Sequence, residues 1–263
     1  EAYHESEDWS RDATEAEEGR LNIAIVGIGT RFPGDMNTPD EMWQALLEGR
    51  DAITDLPEGR WSEFMDEPRL AERIARARTR GGYIKDIKGF DAEFFALSKM
   101  EADNMDPQQR MALELTWEAL EFARIPASSL RGQSVGVFVG TSTNDYSMMA
   151  MMDPRTAHPY AITGTASSII ANRVSYFYDF RGPSESIDTA CSSSLVAAHQ
   201  GVRALRSGEI DALVVDLDAF DAVLERLRQT GLPILAAVVA LDSLRQAEFI
   251  ASEVTGARVP DAV

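Results

Sequence analysis

The feature that most constrains the fold is the run Ser-Ile-Asp-Thr-Ala-Cys-Ser-Ser-Ser-Leu-Val-Ala-Ala-His from Ser186 to His199, which contains the only cysteine of the chain, Cys191. A segment that can form a strand leads to Cys191, and a segment with helical spacing follows it. Unpaired backbone N–H groups and the helix dipole at such a helix start favour a thiolate. The small residues on both sides, Ala190, Ser192, Ser193 and Ser194, are expected to leave room for an acyl thioester to approach the sulfur. The pattern predicts a nucleophile elbow that carries sulfur in place of the serine oxygen.

A single free cysteine has a second interpretation, because free cysteines often pack as small buried hydrophobic residues. Position alone leaves both interpretations open. The string Asp-Thr-Ala-Cys-Ser-Ser-Ser from Asp188 to Ser194, however, resembles the active-site signature of β-ketoacyl synthases, which are the condensing enzymes of fatty-acid and polyketide synthesis. This string is highly specific, and it favours the nucleophile.

The resemblance extends over residues 21–213 through further motifs in the order that ketosynthase domains of type I polyketide synthases show. These motifs are Ile23–Gly34, Arg80–Tyr83, Phe90–Phe95, Met105–Arg110, Trp117–Leu120, Gly136–Gly140 and Gly164–Ser168. Within the family, Ser142–Tyr146 and His158–Gly164 are most similar to the mycolic-acid-condensing polyketide synthases of actinobacteria.

This resemblance implies an α/β chain that forms the amino-terminal half of a thiolase-like fold, in which two similar halves stack as five layers and the protein is usually a homodimer. It also implies a mixed, largely parallel sheet with helices on both faces. The implied nucleophile is Cys191, and the implied substrate-binding residues are Thr189, Ala190, Ser192 and Thr163. The expected substrate is an acyl chain on the phosphopantetheine arm of an acyl carrier protein domain, with no cofactor bound directly and no metal.

The histidines limit the expected chemistry. The related synthases condense with two histidines, one in a His-Gly-Thr-Gly-type motif and one in an Asn-x-Gly-His-type motif, and neither motif occurs in this sequence. His4 lies in an acidic segment and His158 precedes a proline in a predicted loop. His199 follows Cys191 by eight residues on the same predicted helix, which separates the two by about 12 Å along its axis.

We therefore expect acyl transfer to Cys191 as part of decarboxylative Claisen condensation in polyketide, long-chain fatty or mycolic acid synthesis, with the condensation itself incomplete in this chain. An alternative is a catalytically inactive ketosynthase remnant or chimera that acts only as a structural or dimerisation partner of a complete synthase. A third hypothesis, in which the carboxyl-terminal residues make the chain folate-linked, lacks recognisable cofactor residues.

Charge and cysteine content exclude several other classes of protein. The formal net charge of −18 argues against nucleic-acid partners and anionic lipid surfaces. One cysteine cannot form an internal disulfide, and no apolar run approaches the length of a membrane span, so we expect a cytoplasmic protein.

Residues 1–20 contain eight acidic side chains and two arginines. They are expected to form an acidic linker to an upstream carrier domain, or simply a frayed terminus.

The family pattern ends near Leu213, and residues 214–263 form a tail of different character. We predict a helix from Asp216, a strand from Pro233 to Leu241 and a second helix to Val254. This α-β-α tail resembles a fragment of the (β/α)8 barrel of methylenetetrahydrofolate reductase. Because a barrel needs eight strands and about 250 residues, we expect the tail only to add a strand to an open sheet edge and to cover one face.

Three helices are predicted from local signals. Thr38 caps a helix that ends near Gly49, with Met42, Trp43, Leu46 and Leu47 directed inward. Asp106 caps a long helix to about Ala123. The small residues Gly164–Val174 are expected to form one continuous helix.

The pair Gly27 and Gly29 does not complete a dinucleotide-binding motif, because Phe32 stands where the third glycine would be.

Overall fold

A computed structural model of the chain describes residues 23–62, 65–152, 158–215 and 237–240. The chain divides into two compact units. The first, called here the sheet unit, comprises Glu1–Gly27, Leu120–Asn144 and Ser167–Val263, and the second, the helical unit, comprises Ile28–Ala119 and Asp145–Ala166. The predicted boundary at residue 213 is of another kind, because it marks where the family resemblance ends along the sequence. It stays a prediction.

The described residues form both helices and strands. The α-helices are α1 (Pro39–Glu48), α2 (Pro68–Arg76), α3 (Lys99–Asp103), α4 (Pro107–Phe122), α5 (Asp145–Met152), α6 (Ala161–Thr165), α7 (Ser168–Tyr178) and α8 (Ser193–Arg206). The strands are β1 (Ile23–Ile25), β2 (Ile53–Thr54), β3 (Gly81–Gly82), β4 (Val135–Gly140), β5 (Ser184–Ile187), β6 (Ala212–Val215) and β7 (Ala237–Ala240). A 3-10 turn, Ala127–Leu130, precedes β4.

The sheet unit is organised around β4. The strand order is β1-β7-β6-β4-β5, and β4 pairs in parallel with both β5 and β6. All six residues of β4 are buried. Since neighbouring side chains of a strand point to opposite faces, both faces of β4 must be covered. Helices α7 and α8 both pack against it, which confirms the predicted α/β class with a mixed sheet.

Strand β7 shows where part of the tail lies. The predicted strand Pro233–Leu241 corresponds to Ala237–Ala240, which pairs antiparallel with both β1 and β6. The tail strand was expected to add to the sheet at an open edge. It does add to the sheet by pairing with β6, but it does not form the edge, because β1 pairs with its other side. The two predicted tail helices lie outside the described residues.

The core of the sheet unit joins β4, β5 and β6 to α8. Its buried members are Phe138, Ile187, Ala197, Ala204, Leu205, Ile210, Leu213 and Val215. Gly201 allows the close contact between helix and strand, since a Cβ there would lie 2.5 Å from a side-chain carbon of Leu213. This packing fixes α8, and therefore the residues that precede it, against the carboxyl ends of β4 and β5.

The helical unit confirms some predicted helix signals and corrects others. The hydroxyl of Thr38 accepts a hydrogen bond from Glu41 N at 3.2 Å, and Gly49 ends α1 with a φ of 61°. Only Met42 and Ala45 of α1 are buried. The inward direction predicted for Trp43, Leu46 and Leu47 is wrong. Met42 and Ala45 pack inside, and the three other apolar side chains remain exposed.

The predicted helix Gly164–Val174 is two helices, α6 and α7, separated at Ala166 and Ser167. Ala166 is extended, with φ −71° and ψ 127°. Gly164 packs so closely that an added Cβ would lie 1.9 Å from the carbonyl oxygen of Asn104. Its own carbonyl accepts a hydrogen bond from Asp106 N at 2.8 Å. These contacts with the residues that precede α4 hold α6 as a separate short helix.

Candidate active site

Cys191 lies between β5 and α8 in the sheet unit, as the sequence predicts. β5 ends at Ile187 and α8 begins at Ser193. The amide of Thr141, just beyond β4, donates to the carbonyl of Ile187 at 2.9 Å. The cysteine therefore follows the carboxyl end of a parallel strand, which is where open α/β sheets bind their ligands.

The backbone turns sharply at the residue before the cysteine. Ala190 has a φ of 57°, which is the left-handed region that side chains other than glycine seldom adopt. The carboxylate of Asp188 accepts a hydrogen bond from Ala190 N at 3.0 Å. This local bond stabilises the unfavourable conformation, and the turn reverses the chain from the strand into the helix.

The Ser193 side chain bonds several backbone groups of this turn. It is 4% exposed, and its hydroxyl oxygen accepts a hydrogen bond from Thr189 N at 2.9 Å. The carbonyl oxygens of Thr141 and Ala190 lie 3.1 Å and 2.7 Å from the same hydroxyl. Since a serine hydroxyl has one proton, it donates to one of these two carbonyls at a time. Ser193 thus connects the turn to the end of β4.

The start of α8 lies directly against the end of β4. A Cβ added to Gly140 would lie 2.6 Å from the nitrogen and 2.8 Å from the Cα of Ser194. No side chain other than that of glycine fits between these backbones. The approach brings the first turn of α8 next to the sheet edge from which the cysteine turn emerges.

The residues predicted around the sulfur share one exposed surface. Thr189, Ala190, Cys191 and Ser192 are all exposed, and the cysteine is a free thiol. The hydroxyl of Ser192 points back into the turn, where it lies 2.9 Å from both the carbonyl oxygen and the hydroxyl of Thr189. It makes no capping hydrogen bond to the helix. The exposed thiol contradicts the alternative of a buried structural cysteine.

Thr163, the remaining predicted substrate-binding residue, lies in α6 of the helical unit. Its side chain is exposed, and its hydroxyl donates to the carbonyl of Tyr160 at 3.2 Å. Its own carbonyl accepts from the amide of the buried Gln109 at 3.0 Å. These contacts describe a structural position, and the role of Thr163 in binding stays a prediction.

The two histidines of the described residues, His158 and His199, belong to different units. His199 is exposed on α8, the helix that begins after Cys191. His158, in the helical unit, stacks on the ring of Tyr160 with 5.4 Å between centroids, and its Nδ1 accepts from Tyr160 N at 3.2 Å. His4 lies outside the described residues.

Across the described ranges, His, Cys, Asp and Glu side chains nowhere gather in a group of three or more that could hold a metal ion.

Sequence reasoning found the cysteine turn but missed what holds it in place. Gly140 was not selected as a site residue, and Ser193 was predicted only as a small neighbour of the sulfur, whereas the structure buries it. A signal for Gly140 exists, since a glycine that ends a buried strand often marks close backbone approach. For Ser193 there is none, because three consecutive serines look equivalent until the helix start is known.

The comparisons with known proteins agree with this geometry. Residues 21–216 match the family model for the β-ketoacyl synthase, N-terminal domain. The chain is 43% identical over 201 residues to the Cluster 41 polyketide synthase of Aspergillus flavus, covering 76% of this chain and 18% of that protein. It is 46% identical over 213 residues to a phenolphthiocerol/phthiocerol polyketide synthase of Mycobacterium tuberculosis, covering 80% and 11%.

Solved ketosynthase structures are also similar. The ketosynthase from module 6 of the bacillaene synthase of Bacillus subtilis 168 aligns with a TM-score of 0.62 and 31% identity, over 86% of this chain and 40% of that one. A ketosynthase domain of the oxazolomycin system of Streptomyces albus JA3453 aligns with a TM-score of 0.65 and 30% identity, over 86% and 44%.

The fold and the site together define the class of protein. The chain forms an α/β half of a thiolase-like fold and has a cysteine at a strand-to-helix turn. The chain belongs to the β-ketoacyl synthase family, through its N-terminal domain, and resembles ketosynthases of type I polyketide synthases. It spans less than half of the ketosynthase structures and less than a fifth of the synthases that it matches.

Among the helices that the structure describes, none has the length and hydropathy that crossing a membrane requires.

Proposed function

We propose that the chain accepts an acyl group from a carrier-bound thioester onto Cys191, as the loading step of polyketide condensation. The observation that carries this proposal is the free, exposed thiol on a hydrogen-bonded turn ahead of α8, in a chain of the ketosynthase family. The thiolate attacks the carbonyl carbon of the donor thioester. A new carbon–sulfur bond forms, and the donor sulfur leaves as a thiolate that takes up a proton.

The start of α8 supports this chemistry. The N-terminal N–H groups of a helix and its dipole favour negative charge nearby, and the first turn of α8 contains no acidic residue to occupy that position. The Ser192 hydroxyl is engaged with Thr189. We assign the exposed residues Thr189, Ala190 and Ser192 to contact with the acyl thioester, with Thr163 as a further binding residue.

The proposed substrate is a long acyl chain of the lipid or mycolic type, on the phosphopantetheine arm of an acyl carrier protein domain. The phenolphthiocerol/phthiocerol polyketide synthase among the relatives favours a place in polyketide synthesis. Residues 1–20 would link the chain to a carrier domain, and residues 214–263 would serve packing. We propose a homodimer as the working form, in cytoplasmic surroundings that keep the single cysteine reduced.

The proposal covers acyl transfer and not the complete condensation. Decarboxylation of an extender thioester needs a group that stabilises the enolate and a general acid or base. The two histidine motifs with which related synthases do this are absent from the 263 residues. Incubation with a malonyl thioester after acylation should therefore yield no condensed product.

The test is intact-mass spectrometry after incubation with a long-chain acyl thioester of N-acetylcysteamine, with Cys191→Ala as the matched control. We expect one acyl adduct on the parent chain, its removal by neutral hydroxylamine, and no adduct on the control. An adduct that persists in Cys191→Ala, or none on a folded parent chain, would contradict acyl transfer. In the second case a purely structural role beside a complete synthase becomes the better explanation, and co-purification with such a synthase would support it.

A further inference from the structure

The cysteine turn depends on one buried hydroxyl. Ser193 is 4% exposed, whereas its neighbour Ser192 is exposed. The Ser193 hydroxyl serves as both acceptor and donor. It accepts a hydrogen bond from Thr189 N and lies within donating distance of the carbonyls of Ala190 and Thr141. Thr189 and Ala190 are the two residues immediately before the cysteine, and Thr141 follows β4.

We propose that Ser193 is a positioning residue that holds Ala190 in its left-handed conformation and thereby fixes the direction of the Cys191 thiol at the start of α8. This inference rests on the proposed function, in which Cys191 is the nucleophile. Ser193 touches no substrate in this role. It acts through the backbone of the turn, and its effect is expected in the reactivity of the thiol.

The physical argument concerns the backbone groups that Ser193 satisfies. The Asp188 carboxylate already accepts a hydrogen bond from Ala190 N. This bond lies within one exposed Asx turn, so it does not connect the turn to the sheet. The Ser193 hydroxyl adds a buried connection from Thr189 N to the Thr141 carbonyl beyond β4. Without this connection, Ala190 can relax to the more populated φ region. The thiol then loses its fixed position next to the helix N-terminus.

The experiment measures the rate of Cys191 alkylation by iodoacetamide as a function of pH in the full chain. Ser193→Ala is expected to slow alkylation at neutral pH about three- to tenfold, which corresponds to the loss of one ordinary hydrogen bond. Ser193→Thr keeps the hydroxyl and should restore the parent profile. The matched control is Ser207→Ala, at the other end of α8, whose hydroxyl donates to Ala204 O at 3.0 Å.

A Ser193→Ala profile that coincides with the parent profile would overturn the proposal, and so would a shift of equal size in Ser207→Ala. Should Ser193→Ala fail to fold, amide hydrogen exchange of the parent chain decides. Protection of the Thr189 amide supports the proposal, and exchange at the rate of an unstructured chain overturns it. Because alkylation needs no acyl substrate, a chain that fails acylation but shows the Ser193 dependence contradicts the proposed function alone.

Discussion

The starts of helices α4 and α8 solve the same problem in different ways. The first N–H groups of any helix lack partners within the helix itself and must be satisfied by other groups. At α4, the carboxylate of Asp106 accepts from Gln108 N at 2.9 Å, and both Asp106 and Gln109 are buried. At α8, the Ser192 hydroxyl makes no capping bond, and the exposed Cys191 precedes it.

This difference separates a structural helix start from one that is available to a ligand. The side chain of Gln109 is 0% exposed and bonds the carbonyls of Thr163 and Ala166 at 3.0 Å and 3.5 Å. The start of α4 is therefore occupied by groups of the protein itself. Ser193 and Gly140 connect the start of α8 to the end of β4, whereas Cys191 and Ser192 remain exposed. Variants of each helix start should show this contrast.

The largest effect is expected from Gly140→Ala in the sheet unit. The added Cβ would lie 2.6 Å from the backbone nitrogen of Ser194, so either β4 or the start of α8 must move. We expect a loss of about 3 kcal/mol in the free energy of unfolding, measured by urea denaturation.

Gly81→Ala is the control for Gly140→Ala. Its added Cβ would lie 3.6 Å from the ring of Tyr83, an ordinary contact. We expect a change within about 0.5 kcal/mol. Equal losses in the two variants would show that the close approach of β4 and α8 is not what makes Gly140 necessary.

A smaller loss is expected from Gln109→Leu, which keeps the size of the side chain but removes its amide. The carbonyls of Thr163 and Ala166 then lose a buried donor, which should lower the free energy of unfolding by about 2 kcal/mol. Gln44→Leu, on the exposed side of α1, is the control and should change stability by less than about 0.5 kcal/mol. If Gln109→Leu proves as stable as the parent, the polar interior of the α4 start contributes nothing net.

The two helix starts were also predictable to different degrees. Asp106 ahead of Pro107 and the small residues around Cys191 are local signals, and each correctly indicated a helix start. The separation of α6 from α7 was not predicted, because Ala166 and Ser167 are compatible with a helix. The interruption is tied to Gln109 and Gly164, whose contacts join segments distant in sequence.

The same limit explains the errors on exposure and the missed role of Ser193. A helical wheel predicts an apolar side for α1, but which residues of that side become buried depends on the neighbouring segments. Met42 and Ala45 are buried, whereas Leu47 is 64% exposed. Similarly, the position of β7 between β1 and β6 depends on long-range pairing that no local pattern encodes.

The smallest expected effects concern Asp106 itself. Asp106→Ala removes the cap and should cost about 1 kcal/mol in the free energy of unfolding. Asp106→Asn keeps an oxygen that can accept from Gln108 N, so it should remain close to the parent. The difference between the two variants, measured by urea denaturation at neutral pH, isolates the capping hydrogen bond. Equal losses in both would indicate that the charge, and not the cap, is what the helix start requires.

The pH dependence of Asp106→Asn sharpens this test. Burial raises the pKa of the Asp106 carboxyl above its ordinary value of 3.8, and the nearby Asp145 raises it further, against the lowering effect of the Gln108 hydrogen bonds and of Arg110. A folded-state pKa above the unfolded value means that the native state binds the proton more tightly. The resulting stability is present below the unfolded pKa and is lost as the pH rises through the folded pKa.

Asp106→Asn has no such proton, so its stability relative to the parent should increase from pH about 4 to pH about 7. The measurement is the difference in unfolding free energy between the two chains at each pH, with Asp103→Asn on the exposed surface of α3 as the control for general charge effects. A relative stability that falls over this range would mean that the Asp106 carboxylate gains more from its hydrogen bonds than it loses by burial. The start of α4 would then favour an anion as the start of α8 is proposed to do, and the contrast between them would lie in access alone.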